Sequence, residues 1–159
     1  MLAIAIIGSG CGGGDEREIK NQMSAIAQAL SVPASEGELG RITRVASLRN
    51  ALAENIQVST GASVRPGAQI PPELVGRDAV LGLAARWSPP RAGVSVEFVD
   101  VQVTVADGGD AAQVYCTAQA TSGPPEQPVV DARELTVGFA KIGGEWLVSS
   151  VRPEDTLTR

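Results

Sequence analysis

The stretch Gly93-Val-Ser-Val-Glu-Phe-Val-Asp-Val-Gln-Val-Thr-Val105 decides the fold. It is rich in β-branched residues and alternates with period two, so it reads as a half-buried strand. The apolar positions are Val94, Val96 and Phe98, then Val99, Val101, Val103 and Val105. Parity flips at Phe98-Val99. A slip of one residue in a period-two pattern predicts a β-bulge, which bends the strand.

Downstream of this stretch the pattern stays β. Asp107-Gly108-Gly109-Asp110 is a turn, and AAQVYCTAQAT follows with Val114, Cys116, Ala118 and Ala120 on one side. SGPPEQP is a longer loop. VVDARELTVGFAKI places Leu135, Val137 and Phe139 on one face, and Gly143-Gly144 turns the chain into EWLVSSV. Four strands joined by hairpins form an antiparallel meander.

Upstream the pattern is helical. Asp15 can cap a helix, with Glu18 completing a capping box. Ile19, Met23, Ile26 and Leu30 then make one apolar face. A second helix reads from about Glu38 to Asn55, on the line Ile42, Val45, Leu48, Leu52 and Ile56. ASVRPGAQIPPELVG is a loop. A third helix opens at Arg77-Asp78 with Val80, Leu83, Ala84 and Trp87 on one face, and Pro89-Pro90 stops it. Helices first and antiparallel strands after give an α+β domain, three helices packed on one face of a curved, bulged sheet. The expected boundaries are a leader and Gly-rich tether over 1–14, the domain over 15–152 and a polar tail over 153–159.

Composition removes several function classes. The 159 residues hold no histidine, so Ser-His and Cys-His nucleophile pairs and His metal sites are excluded. The net charge is −5 with no basic run, which argues against nucleic acid as a partner. No apolar stretch has the ~20 residues of a membrane-spanning helix. No cofactor or metal is expected.

The N-terminal Ile6-Ile-Gly-Ser-Gly-Cys-Gly-Gly-Gly14 has three readings. Gly8, Gly10 and Gly13 fit G-x-G-x-x-G, but that fingerprint needs a parallel βαβ unit, and SVPASEGELGR is loop and helix where the second strand should be. An apolar run, small residues and Cys11 resemble the processing site of a bacterial lipoprotein, with the glycines as a tether. The motif departs where Gly8 replaces a branched aliphatic, and the apolar run is short and lacks a preceding Lys or Arg. A translation start upstream of Met1 would supply both. The third reading is a disordered N-terminal extension or a fragment of strand. The lipoprotein reading is preferred, and it implies a lipid anchor through Cys11 in the bacterial envelope, on the periplasmic face; Gly12 after the cysteine favours outer-membrane sorting. The alternative location is the cytoplasm.

Three segments carry a family resemblance. Glu54-Asn-Ile-Gln-Val58 is similar to a segment leading into a first strand, Val75-Gly-Arg-Asp-Ala-Val80 to a G-[RK]-[DE]-A-[IV] helix start, and Ala140-Lys-Ile-Gly-Gly-Glu-Trp-Leu-Val148 to a K-x-x-G-x-W hairpin. In this order they resemble the nuclear transport factor 2-like superfamily, which includes the SnoaL-like proteins. The resemblance implies a cone-shaped, cystatin-like fold with a pocket between sheet and helices, and a homodimer through the sheet. It does not settle function.

The pocket enzymes of that superfamily suggest what to look for. Asp100, Asp131 and Arg133 supply the residue types of an Asp-Arg-Asp set, as in an isomerase, dehydratase or epoxide hydrolase-like enzyme. Asp131 and Arg133 share parity with Leu135, and Tyr115, on the adjacent strand, also has odd parity, so a ligand pocket could use Tyr115, Arg133 and Trp87. The blander reading, preferred here, makes the Asp–Arg pair a solvated strand end, Trp87 and Trp146 core residues, and Cys116 an inert buried thiol rather than a nucleophile. Arg41, Arg44 and Arg49 read as a solvated helix stripe. The resulting expectation is a non-catalytic ligand-binding or protein-interaction module, with a small apolar ligand or a second copy as partner.

Overall fold

The computed structural model describes residues 12–61 and 70–154. Its elements are α1 (Gly12–Leu30), α2 (Glu38–Ala51), β1 (Leu52–Ser59), β2 (Glu73–Val75), α3 (Arg77–Arg86), β3 (Val94–Val105), β4 (Ala111–Ser122), β5 (Val129–Ile142) and β6 (Glu145–Pro153). The strands form one sheet in the order β2-β1-β6-β5-β4-β3. Four long strands make the expected meander. The sheet is nevertheless mixed, because β1 runs parallel to β6.

β1 and β2 are the elements that periodicity missed. Leu52 and Ile56 lie four apart and prolong the α2 line, yet α2 ends at Ala51 and both belong to β1. Burial explains it: Leu52, Ala53 and Ile56 are buried while Glu54 and Asn55 are exposed, which suits a strand pairing with β6 on one side and β2 on the other. α1 also starts earlier than expected. Gly12, Gly13 and Gly14 form its first turn instead of a loose tether, and Asp15 lies within the helix and does not cap it.

The bulge falls one to two residues beyond the predicted slip. Val99 pairs with Thr117 and Gln102 with Tyr115, so Asp100 and Val101 together oppose Cys116. Asp100 absorbs the distortion with φ +54, a left-handed value that short polar Asp tolerates better than most residues. The shift lets Phe98, Val101, Val103 and Val105 all pack against the core.

The core lies between the helices and one face of the sheet. Ile19, Met23 and Ile26 of α1, Leu48 of α2 and Leu81 of α3 meet Val114, Cys116, Val137, Phe139, Trp146 and Val148. Two expected face residues differ. Leu30 is exposed at the end of α1, and α3 buries Leu81, whereas Trp87, just past its end, is 39% exposed and so is not part of the core.

β3 is an edge strand, and its outer edge is blunted. Val32 pairs with Val94 through two 2.8 Å backbone bonds, and Ser31 Oγ accepts from Val96 N at 2.9 Å. The bulge at Asp100 bends the remainder. Such devices discourage edge-to-edge strand addition.

Candidate functional site

The candidate catalytic residues do not converge. Asp131 and Arg133 sit on the part of β5, Val129 to Arg133, that is exposed throughout. They pair with each other at 3.6 Å, with side chains 66% and 46% exposed, so the contact is screened and weak. Asp100 lies at the row of Cys116 and Leu135, four residues along from the row of Asp131, about 13 Å by strand rise. Tyr115 opposes Thr136, whereas Arg133 opposes Ala118 in the row of Phe98. Adjacent rows alternate faces, so Tyr115 and Arg133 occupy opposite faces of the sheet. Shared parity along two antiparallel strands does not guarantee a shared face; the register between them decides, and here it pairs odd with even.

Tyr115 belongs to the face away from the helices. The Glu134 carboxylate beside it, with burial second, holds its hydroxyl above the ordinary phenol value. Cys116 is a free thiol on the opposite, buried face. Burial pushes its pKa up to about 11, so at neutral pH it is an unreactive thiol. Among the described residues, no three His, Cys, Asp or Glu side chains gather as metal ligands would. No helix among them is long and apolar enough to cross a membrane. Cys11, Gly8 and Gly10 lie outside the described residues, as do residues 155–159.

The arginine stripe on α2 divides. Arg44 is buried, and its Nε donates to Glu36 Oε1 at 2.8 Å, with Nη2 to Oε2 at 3.3 Å. This forked pair closes the α1–α2 connection onto α2 and holds Glu36 below the ordinary carboxylate range. Arg49 makes only an exposed 3.4 Å contact with Asp78.

A polar cluster unseen in the sequence joins the two ends of the chain. Asp15 Oδ1 accepts from Lys141 Nζ at 2.8 Å and from Trp146 Nε1 at 3.1 Å. The Lys141 ammonium stands 5.4 Å from the Trp146 ring centroid. Asp15 lies in the first turn of α1 and the other two flank the β5–β6 turn, so the cluster clamps the helix to the hairpin. The Lys141 bond chiefly holds Asp15 below its ordinary 3.8, and the Asp15 bond chiefly holds Lys141 above its ordinary 10.5. The depressed carboxyl contributes stability above pH 3.8 and loses it as pH falls through the folded value. The raised ammonium contributes below pH 10.5 and loses it as pH rises through the folded value. Asp15→Asn keeps an acceptor for Trp146 and removes the charge. Its melting temperature should fall below wild type by a constant gap across neutral pH, and the gap should close below pH 3.8. A gap unchanged at pH 2–3, measured by thermal denaturation, would contradict the ion-pair role.

Two grooves flank α1. One, of about 750 Å³, opens between α1 and β3 and is lined by Met23, Ala27, Val96, Phe98 and Val101 among others. The other, of about 960 Å³, lies where α1, the end of α2 and the start of β6 meet.

No protein-family model matches the chain, and no curated protein matches it by sequence. Solved structures do match in fold. An NTF2-like protein with a cystatin-like fold from Novosphingobium aromaticivorans superposes with TM-score 0.65 at 13% identity, covering 92% of this chain and 84% of that one. An NTF2-like protein of unknown function from Pseudomonas putida KT2440 gives 0.64 at 18% identity and 94% coverage of both chains. The association domain of CaMKII from C. elegans gives 0.63 at 12% identity, over 89% of this chain and 96% of that one. With three helices on a bulged six-stranded sheet, the chain has the NTF2-like, cystatin-like fold.

Proposed function

We propose that the domain is a non-catalytic ligand-binding or protein-interaction module of a bacterial envelope lipoprotein, attached to the membrane through Cys11. One observation carries the non-catalytic part. Tyr115 lies on the opposite face of the sheet from Arg133, and Asp100 stands four rows, about 13 Å, along from Asp131, so the four side chains do not line one site. The unreactive Cys116 and the absence of histidine from the sequence leave no alternative nucleophile–base pair in the core.

An interaction role is supported by the likeness in fold to the association domain of CaMKII from C. elegans. The sheet face that holds Gln113, Tyr115, Thr117 and Thr136 is where a second copy would pair, since the helices cover the other face and the β3 edge is blunted.

The anchor is tested by labelling with a palmitate analogue in a bacterial host, on the full gene, comparing wild type with Cys11→Ser. Label in wild type and none in the variant is the expected result. Label absent from both, with the protein in the cytosol, would remove the lipoprotein reading and leave the binding domain alone.

A further inference from the structure

The 960 Å³ groove has a specific origin. β1 joins β6 from Val148 onward, so on that side Glu145 to Leu147 have no neighbouring strand. The end of α2 stands there instead, and a helix cannot fill the space that a strand would. Gln22 reaches across and its Nε2 donates to the carbonyl of Trp146 at 3.0 Å, satisfying the acceptor left over. The rest of the groove stays open, and most of the side chains that line it are polar.

Its donors are under-used. Arg77 opens α3 and lies in the groove wall. Its Nη1 reaches the carbonyl of Leu52 only at 3.5 Å, and its buried Nε has no acceptor among the described residues. A buried N–H without an acceptor is destabilising, so such a group calls for an explanation. Arg49, also in the wall, holds Asp78 at 3.4 Å in an exposed contact worth little. Asn21 and Asn50 add amides from the two flanking helices.

We propose that this groove binds a small molecule through a carboxylate, taken by the guanidinium of Arg77 with Arg49, Asn21 and Asn50 as supporting donors. The planar fork of a guanidinium matches a carboxylate in a bidentate contact, and a swing of Arg77 away from its long Leu52 bond presents the Nε edge. Glu18 and Glu145 also line the groove and limit the ligand. They repel a second negative charge and can accept from a hydroxyl or ammonium group. The fitting class is therefore a monocarboxylate that carries a hydroxyl or amino group. This assignment deepens the ligand-binding reading and is independent of the lipid anchor, so labelling at Cys11 and binding at Arg77 fail separately.

The test is amide-resolved NMR on the full 159-residue chain carrying Cys11→Ser, titrated with acetate, inorganic phosphate and chloride at constant ionic strength. Acetate should give saturable shifts at Asn21, Leu52 and Arg77, and chloride should not. Arg77→Lys keeps the charge but loses the fork, and should weaken acetate binding about tenfold. Arg49→Gln, at an exposed position that folding does not need, should weaken it about threefold by removing a supporting cation. Saturation by phosphate but not acetate would overturn the carboxylate assignment. Shifts that never saturate, or that persist unchanged in Arg49→Gln and Arg77→Lys, would overturn the site. If Arg77→Lys does not fold, unchanged binding in Arg49→Gln alone overturns it.

Discussion

Replacing Trp146 by alanine should lower stability by about 3–5 kcal/mol, the range for deleting a large aromatic from a packed core. Trp146 has no exposed surface and is the largest fully buried side chain. It lies beside Val148 and Phe139 on β6 and β5, where α1 and the sheet close on each other. Its indole N–H also holds Asp15. Truncation therefore opens a cavity and removes one of the two donors that hold Asp15. For a chain of this length the loss corresponds to a drop in melting temperature of roughly 6–20 °C. Trp146→Phe separates the two contributions in large part, because it keeps most of the aromatic bulk while removing the N–H. A drop of less than 1 kcal/mol for Trp146→Ala in a urea titration would mean that the hairpin is not part of the core.

Gly93→Ala should cost about 2–5 kcal/mol, from left-handed strain of roughly 1–2 kcal/mol plus overpacking of roughly 1–3 kcal/mol. Gly93 has φ +79, and a Cβ there would stand 2.6 Å from the carbonyl oxygen of Val32 and 2.7 Å from the amide nitrogen of Ala34. Both are backbone atoms and cannot swing aside as a side-chain tip can. Their displacement would break the Val32–Val94 bridge that blunts the β3 edge. A second consequence follows: the variant should self-associate more readily than wild type, because the edge is uncovered. Gly109→Ala is the control. It shares a positive φ, +69, but a Cβ there meets nothing within 4 Å, so only strain remains. Equal losses for the two variants in thermal denaturation would show that the close approach at Gly93 is not the cause.

The four long strands, β3 to β6, and the bulge were legible because their signals are local. Period two with one slip needs only neighbouring residues, and the slip located the bulge at Asp100–Val101 to within two positions. The α1 face was legible for the same reason. Leu52 and Ile56 misled because a spacing of four serves a helix as well as it serves two inward positions of a strand that bends. Their partner, β6, is almost a hundred residues away. The candidate site was read less well. Asp131 and Arg133 were placed on a common face, and they pair there, but the face is bare at that end of β5. Arg44 was read with a solvated stripe and is instead buried against Glu36.

The sequence by itself determined the class of the fold, the four-strand meander, the bulge, and the absence of any histidine-dependent chemistry. These follow from residue types and from local periods that the distant contacts reinforce in those segments. The tertiary structure alone decided which side chains meet. The register of β4 against β5 put Tyr115 and Arg133 on opposite faces. Folding brought Asp15 to Lys141 and Trp146, more than 120 residues apart in sequence. The late start of β1 along β6 opened the groove at Arg77. Each of these depends on how separate elements dock, and docking is set by the shape of the whole core, which no short window of sequence contains.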